Sequence, residues 1–398
     1  MDNRRKFLAA AGAALAACAT NKDAKPDADP SRIGKPLRAY GERAPFEKIV
    51  RLTPTTKQPE IGATRTPLAD LHGIITPSSL HFERHHAGVP DIDPTKHQLT
   101  IHGMVERPLV FSMGDLKRLP AVSRIHFVEC AGNSGSEWGK KNAVDVQRAF
   151  GLASCSEWTG VPLSIVLAEA GVKKGASWLH AEGADACKMS RSIPLAKGLT
   201  DILLAYGQNG EALRPEQGYP LRLVVPGWEG NINVKWVNRI KVSDQPQYAR
   251  DETSHYTDLM ADGTARIFTF EMDAKSFITS PSGGQRIASQ GFHEIRGLAW
   301  SGRGRIEKVD VTLDGGKTWK PAQLDDPRHK MAFTRFRMPW IWDGKETVLA
   351  SRAIDDTGYM QPSRDELVEA RGMNSQYHNN AVKFWQVLAD GSVKNVEA

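Results

Sequence analysis

Hydrophobic and polar positions follow two different patterns along the 398 residues, and the change of pattern divides the chain. Between about residues 95 and 245, strand-like and helix-like segments are mixed. Residues 97–103 alternate like a strand, residues 163–170 have the pattern of a helix closed by Gly171, and residues 221–225 form a short apolar strand. This mixture predicts an α+β domain.

After about residue 265 the pattern becomes one of short strands separated by Gly- and Pro-containing turns. Residues 306–313 alternate between apolar and polar, Asp314-Gly315-Gly316 is typical of a hairpin turn, and residues 317–324 have the pattern of the partner strand. Residues 347–354 and 383–388 predict further strands. The pattern favours a β-sandwich of immunoglobulin type.

The amino terminus has the pattern of an export signal. Arg4 and Arg5 precede a short alanine-rich stretch, which is typical of twin-arginine signals and predicts a periplasmic protein. Cys18 is compatible with lipid anchoring or with ordinary cleavage beside it, and both alternatives stay open. We therefore predict four segments: a twin-arginine signal peptide (1–20), an extended arm (21–75), the α+β catalytic domain (76–250) and the sandwich (265–398).

Composition and charge exclude several classes of protein. The 52 Lys and Arg residues exceed the 46 Asp and Glu residues by only six, without the clustering of a nucleic-acid binder, so no nucleic-acid partner is expected. No apolar run is long enough for a multi-span membrane protein. Beyond the signal, Cys130, Cys155 and Cys187 cannot all pair within one chain. No Cys-x-x-Cys-His motif occurs, and we expect no haem in this chain.

Two segments contain residues suited to metal or redox chemistry. Residues 81–90 hold Arg84 and three histidines in a loop, where either a zinc site formed by His81, His85 and His86 or a solvated polar loop is conceivable. Cys130 ends an apolar run and faces small, turn-forming residues. A metal ligand, a cysteine nucleophile and a buried inert thiol all fit that position.

Two further segments place charged residues in apolar surroundings. Arg222 lies within an apolar strand and Lys235 follows a Gly- and Asn-rich turn, so a phosphate between them or a surface ion pair would explain both. Arg371 and His378 interrupt a strand-rich region, which suggests a loop that folds back on the other domain.

The tetrapeptide Cys130-Ala131-Gly132-Asn133 resembles the signature of the sulfite oxidase family of molybdenum enzymes. Further motifs resemble the same family in the same order and together extend over roughly residues 80–390: His81–His86, Gly218–Arg222, Val225–Gly227, Val234–Trp236, Ile278–Pro281, Gly297–Gly302 and Val309–Trp319. So many motifs in one order are far more specific than any one alone.

The resemblance implies a molybdenum cofactor carried by molybdopterin, a pyranopterin dithiolene. Cys130 would be the protein ligand to the metal, since a thiolate suits a soft redox centre. His86 would hydrogen-bond the cofactor, and Arg222 and Lys235 would neutralise its phosphate. The implied fold is a sulfite-oxidase-type molybdopterin-binding domain followed by an immunoglobulin-like domain through which two chains form a homodimer.

The same resemblance implies roles in oxygen-atom transfer to a sulfur anion. Arg84 and Arg371 match anion-binding arginines of the family, and Trp158 matches a tryptophan of the pocket wall. The active-site tyrosine would be Tyr256, with Tyr248 as the alternative.

The chain departs from family members that oxidise free sulfite. Ser134 and Gly135 stand where two arginines are common, and Gln217 replaces a histidine, which predicts a roomier pocket. Within the family the chain most resembles molybdenum subunits of sulfane dehydrogenases. These oxidise sulfane sulfur on a cysteine of a carrier protein in thiosulfate oxidation, and they pair with a separate c-type cytochrome. The alternatives are a dehydrogenase for free sulfite, a methionine sulfoxide reductase of the family, which usually lacks the sandwich, and a binding protein without metal.

Overall fold

The computed structural model describes residues 36–139 and 143–396. The chain divides into two units, Met1–Lys48 and Ile49–Ala398. In the first unit the described residues 36–48 contain a turn but neither helix nor strand. The predicted signal, including Cys18, lies outside the described residues, and the second unit contains everything discussed below.

The first part of the second unit mixes short helices with strands, which confirms the α+β prediction. Its helices are α1 Met113–Arg118, α2 Val146–Phe150, α3 Leu163–Ala170, α4 Leu195–Thr200 and α5 Arg250–Ser254. Its strands are β1 Gly62–Ala63, β2 Arg84–His85, β3 Gln98–Gly103, β4 Leu109–Ser112, β5 Val122–Glu129, β6 Ala153–Pro162, β7 Trp178–Gly183, β8 Ser190–Pro194, β9 Leu203–Gln208, β10 Glu211–Ala212, β11 Arg222–Val224, β12 Val237–Ser243, β13 Asp258–Leu259 and β14 Ala265–Arg266.

Two five-stranded sheets organise this domain. One has the order β10-β9-β6-β5, with β11 also paired to β9, and the other has the order β4-β3-β12-β7-β8. All pairs are antiparallel except β12 with β3. Helix α3 ends at Gly171, as the sequence predicts, and the positive φ of 70° explains why glycine terminates it.

The second part is a β-sandwich, which confirms the prediction from the short-strand pattern. Its strands are β15 Lys275–Ser280, β16 Gly291–Trp300, β17 Ile306–Thr312, β18 Lys320–Pro321, β19 Gln323–Leu324, β20 Thr334–Trp342, β21 Thr347–Asp355, β22 Phe384–Val387 and β23 Val393–Val396, and its helix is α6 Arg364–Arg371. One sheet has the order β15-β16-β20-β19 and the other β18-β17-β21-β22-β23.

The predicted hairpin after residue 313 forms only in part. Strand β18 pairs with β17, but β19, two residues later, pairs with β20 of the opposite sheet. The predicted return strand 317–324 is therefore wrong as one element, because the chain crosses from one sheet to the other at Ala322, between the two short strands.

The two domains share a continuous apolar core. Phe127 and Phe150 of the α+β domain belong to the same buried cluster as the sandwich residues, and the Phe150 and Phe277 rings stack with their centres 4.1 Å apart. At the edge of this junction two backbones touch: a Cβ on Gly302 would lie 1.9 Å from the carbonyl oxygen of Gly227. No helix among residues 36–139 and 143–396 is both long and apolar enough to cross a bilayer.

Candidate active site

A cleft in the α+β domain brings together most of the predicted site residues. The space between its walls that no protein atom fills is about 690 Å³, and this figure includes open solvent at the mouth. Its lining includes Arg84, His86, Cys130, Arg222, Lys235 and Tyr256, together with His81, Phe82, His85, Val128, Asp185, Met189, Gln217, Gly230, Asn231, Asn233, Val234 and Trp236.

Cys130 stands at one end of the cleft, immediately after strand β5. Its amide donates to the Leu152 carbonyl (2.9 Å), and its carbonyl accepts from the Asn133 amide (2.8 Å), which closes a turn of small residues. Burial raises the pKa of the thiol, while the Gly132 amide and the positive charge of Arg84 act in the opposite direction. The thiol is free and accessible to the cleft, as a soft metal ligand requires.

Arg222 brings a buried positive charge to the cleft without a counter-ion. It is 2% exposed, and its guanidinium donates to the carbonyls of Gln217 (3.0 Å) and Asn233 (3.2 Å). Among the described residues no carboxylate lies within ion-pair distance. Burial lowers the pKa of Arg222 to about 9, which measures how poorly the protein alone compensates this charge.

Lys235 provides a second cation near Arg222. Its Nζ donates to the carbonyls of Arg84 and Glu216 (both 3.1 Å) and to Nδ1 of His85 (2.8 Å). Nε2 of His85 lies 2.9 Å from the Glu83 carboxylate, which fixes the imidazole with Nδ1 as the acceptor. Burial, reinforced by the Arg222 charge, lowers the pKa of Lys235 to about 7.

These residues fit an anionic group at the closed end of the cleft. Arg222 and Lys235 are both held by main-chain carbonyls rather than carboxylates, so a phosphate would supply the missing negative charge. Nε2 of His81, which also lines the cleft, is buried without a hydrogen-bond partner in the described structure. A polar group of a ligand in the cleft could supply this missing partner. The predicted cofactor contacts of Arg222 and Lys235 are therefore consistent with this geometry.

The three histidines of the loop do not converge on one point. His81 contacts the Phe82 carbonyl, His85 contacts Glu83 and Lys235, and His86 contacts Tyr256. No cluster of three metal-ligating side chains of the His, Cys, Asp and Glu types occurs within the described ranges. The three imidazoles instead have separate hydrogen-bond partners.

Tyr256 lines the cleft and Tyr248 does not. The Tyr256 hydroxyl lies 3.3 Å from Nε2 of His86, and the Arg191 guanidinium lies 5.1 Å from the centre of its ring. Burial raises the pKa of Tyr256, and burial lowers that of His86 to about 4, so both are neutral near pH 7. Tyr248 is 55% exposed and lies against Phe268. The structure thus favours Tyr256 over the alternative.

Arg84 is positioned to bind an anion that exchanges with solvent. It lies in β2, is half-buried, and has no carboxylate partner among the described residues. Its charge partly offsets the rise that burial causes in the pKa of Cys130 and of Tyr256, and all three residues line the cleft. The guanidinium donates to the main-chain carbonyls of Gly62 (3.4 Å) and His85, so its positive charge is available to an anionic substrate in the cleft.

Trp158 does not form a wall of the cleft, contrary to the prediction. It is fully buried, its indole Nε1 donates to the His126 carbonyl (3.1 Å), and its ring lies 4.8 Å from the Arg222 guanidinium. It lies on the face of β6 that packs into a buried apolar cluster with Phe82 and Val128. Trp158 therefore supports Arg222 from behind and does not touch the space for substrate.

Arg371 is also misplaced in the prediction. It is the last residue of α6, and its guanidinium lies 3.3 Å from the Asp258 carboxylate and 3.7 Å from that of Asp273. It borders a separate groove beside Trp228 and Arg303. Two carboxylates neutralise this charge, so the anion-binding role assigned to Arg371 is wrong in this structure.

The predicted extra space at Ser134 and Gly135 is occupied by the chain itself. A Cβ on Gly135 would lie 2.9 Å from the Gln376 carbonyl. The His378 amide donates to the Ala131 carbonyl (2.8 Å), which confirms that this loop folds back on the other domain. Small residues are needed here for close packing, and the prediction of a roomier pocket at these two positions is wrong. Ser134 borders a different groove from the one that contains Cys130.

Sequence reasoning missed two residues near Cys130. Tyr377 lies on the returning loop with its ring 5.4 Å from that of Tyr256, and burial and the Cys130 thiolate raise its pKa. Asp185 lines the cleft and accepts from the Cys187 thiol (2.8 Å). Neither residue belongs to a motif, and only the strand–loop connections bring them to the site.

Comparisons with known proteins agree with this geometry. Residues 86–250 match the family model of an oxidoreductase molybdopterin binding domain, and residues 266–384 match that of a Mo-co oxidoreductase dimerisation domain. The second match identifies the sandwich as the dimerisation domain that the resemblance implies.

Relatives with known names point the same way. Mitochondrial sulfite oxidase of Mus musculus is 33% identical over 73% of this chain and 58% of its own length, and NADH nitrate reductase of Ulva prolifera is 34% identical over 65% and 34%. This chain thus spans little more than half of the sulfite oxidase. The crystal structure of the sulfane dehydrogenase SoxCD from Paracoccus pantotrophus superposes with a TM-score of 0.90 at 48% identity, covering 95% of this chain and 98% of that one. The chain belongs to the sulfite oxidase family of molybdenum oxidoreductases.

Proposed function

We propose that this chain is the molybdenum subunit of a periplasmic sulfane dehydrogenase. It would oxidise sulfane sulfur bound to a cysteine of a carrier protein in thiosulfate oxidation and pass electrons to a separate c-type cytochrome. The observation that carries the proposal is that Arg84, which has no carboxylate partner among the described residues, lines the same cleft as the free thiol of Cys130, in a chain 48% identical to SoxCD over nearly its full length.

The residues divide the work between the two ends of the cleft. Cys130 would hold the molybdenum, and Arg222, Lys235 and His86 would hold the pterin and its phosphate. When bound, the molybdenum cofactor supplies two-electron oxygen-atom transfer to sulfur. Arg84 binds and orients the sulfur anion, which places it as one reactant in a preorganised site.

Tyr256 and His86 are also suited to holding a proton in the cleft. Their side chains are 3.3 Å apart, and both are neutral near pH 7, so one can donate while the other accepts. Arg191, held by the buried Glu229 and Glu252, lies over the Tyr256 ring and fixes its position.

Two chains would associate through the sandwich. Phe292 of β16 and Ile341 of β20 are cross-strand partners and are 72% and 76% exposed, an unusual display of apolar surface on one sheet face. We expect an Ile341→Lys variant to sediment as a monomer at concentrations where the unaltered chain is a dimer. A dimer that survives this substitution places the interface elsewhere.

The decisive assay compares substrates on protein matured with molybdenum. Metal content is measured first, followed by electron-paramagnetic resonance after each candidate reductant and turnover with cytochrome c as acceptor. Reduction by a carrier protein bearing sulfane sulfur, and not by sulfite, supports the proposal. Turnover of free sulfite alone supports the alternative, a sulfite dehydrogenase, while a protein that binds no molybdenum refutes both.

Export is tested separately, by fractionation of cells that express the full chain. We expect the mature protein in the periplasm and its retention in the cytoplasm when Arg4 and Arg5 are both changed to lysine. Labelling with radioactive fatty acid distinguishes lipid anchoring at Cys18 from ordinary cleavage.

A further inference from the structure

Glu129, the residue before the proposed metal ligand, is a carboxylate buried at the junction of the two domains. It is the last residue of β5 and is fully inaccessible to solvent. A charge in such a place persists only where it is paired and hydrogen-bonded. The partners of the Glu129 carboxylate therefore show which parts of the structure it connects.

The partners of Glu129 on one side belong to the sandwich. Lys275 forms an ion pair with its Oε1, and the indole Nε1 of Trp300 donates to its Oε2 (2.7 Å). Lys275 of β15 and Trp300 of β16 are directly opposite each other in the sheet, and both are buried. The carboxylate is thus held by a cross-strand pair of the second domain.

The partner on the other side belongs to the turn that carries Cys130. Nδ2 of Asn133 donates to Glu129 Oε1 (2.9 Å), and Oδ1 of Asn133 accepts from the Leu152 amide (3.2 Å). The Asn133 amide in turn donates to the Cys130 carbonyl. One side chain therefore couples the sandwich to both ends of the Cys130–Asn133 turn.

We propose that Glu129 is a positioning residue for Cys130, and that the sandwich, beyond joining two chains, orients the metal ligand through Lys275 and Trp300. The inference rests on the assignment of Cys130 as the molybdenum ligand. Residues that orient a metal ligand typically change metal affinity or activity by about 10- to 100-fold when altered. A molybdenum atom held by Cys130 would respond to a displaced thiolate in its electronic structure as well as in its rate, so a spectroscopic readout accompanies turnover.

The test uses matched tryptophan variants of the full, molybdenum-loaded enzyme. Trp300→Phe removes one hydrogen bond to Glu129 and keeps an aromatic ring in the core. Trp385→Phe is the control, since Trp385 is equally buried in the sandwich but its Nε1 has no partner among the described residues. A third variant, E129Q/K275M, removes the ion pair without leaving either charge buried alone.

We expect Trp300→Phe and E129Q/K275M to fold and retain molybdenum, to shift the principal g values of the Mo(V) signal, and to lower kcat by about tenfold or more. Trp385→Phe should lower thermal stability only and keep the g values of the unaltered enzyme. If the variants at Glu129 and Trp300 lose stability while their Mo(V) signal and kcat stay unchanged, the positioning role is refuted. An unaltered enzyme without a Mo(V) signal would instead refute the proposed function itself.

Should Trp300→Phe fail to fold, the comparison is made between E129Q/K275M and Trp385→Phe, because E129Q/K275M leaves the bonds of Asn133 to Leu152 and Cys130 in place. A shift of the g values in E129Q/K275M supports the inference, and an unchanged signal contradicts it.

Discussion

The closed and open ends of the cleft differ in how deeply their arginines are buried. At the closed end, Arg222 is 2% exposed and donates to the main-chain carbonyls of Gln217 and Asn233. At the open end, Arg84 also donates to main-chain carbonyls, those of Gly62 and His85, but its side chain is only half-buried. Since neither arginine has a carboxylate partner among the described residues, burial separates their roles: the enclosed Arg222 suits an anion that stays bound, and the partly exposed Arg84 suits an anion that exchanges with solvent.

The largest effect is expected at Cys130, the proposed metal ligand. Cys130→Ser replaces a soft sulfur with a hard oxygen of similar size, so the chain should fold normally and lose about 100-fold or more of its turnover. Turnover and molybdenum content are measured together with the thermal midpoint. Normal turnover in this variant would rule out Cys130 as the metal ligand.

A change at the closed end should affect cofactor retention more than folding. Arg222→Met removes a buried charge that lacks a counter-ion, so the cofactor-free protein should be at least as stable, while the amount of bound pterin falls by about tenfold or more. The pterin is quantified after purification. Arg303→Met, at a surface ion pair with Asp273, serves as the control and should retain its pterin. Equal retention by both variants would mean that Arg222 does not contact the cofactor.

The corresponding change at the open end should affect substrate affinity. Arg84→Ala removes one charge-assisted contact, worth about 1.5–3 kcal/mol, and should raise KM roughly 10- to 100-fold with little loss of thermal stability. Arg371→Lys provides the comparison, because its carboxylate partners keep it away from substrate. An unchanged KM in Arg84→Ala, or a large increase in Arg371→Lys, would reverse the assignment of these two arginines.

The smallest predicted effect is a pH dependence of stability in the cofactor-free protein. The pKa of Lys235 falls from 10.5 when unfolded to about 7 when folded, so between these values the unfolded chain binds the extra proton and stability rises with pH. From pH 7.5 to 9.0 the gain is at most about 2 kcal/mol. Urea unfolding at both pH values measures it.

Lys235→Met is the control for this pH dependence and should remove the gain. Bound cofactor should also flatten the profile, because its phosphate restores the affinity of Lys235 for the proton. A slope that persists in Lys235→Met would assign the effect to another group.

Motifs and hydrophobic periodicity gave correct predictions where the local sequence determines the structure. Helix α3 ends at Gly171 because the residue there has a left-handed backbone conformation, which glycine adopts without strain. Cys130 follows its strand as predicted. Arg222 and Lys235 could be identified because a charged side chain in apolar surroundings needs a partner of opposite charge. The sequence alone shows those surroundings.

The errors arose where a side chain's direction depends on distant parts of the chain. Trp158 matched a family position, but its strand is central and the ring faces the interior behind Arg222. Arg371 forms ion pairs with Asp258 and Asp273, which lie about a hundred residues earlier in the chain. Tyr377 reached Cys130 only because the loop after α6 returns to the first domain. No local sequence pattern predicts these long-range contacts.

The contact between Gly227 and Gly302 limits how nature or an engineer can recombine this enzyme. A methyl group on either residue would collide with the other's backbone. Met272 bonds to both, its amide donating to the Gly227 carbonyl and its carbonyl accepting from the Gly302 amide. A chimaera that exchanges the carboxy-terminal half with a homologue will assemble only if the incoming half carries a glycine at the matching point. Crossover sites in such libraries are therefore best chosen so that both glycines are inherited from one parent.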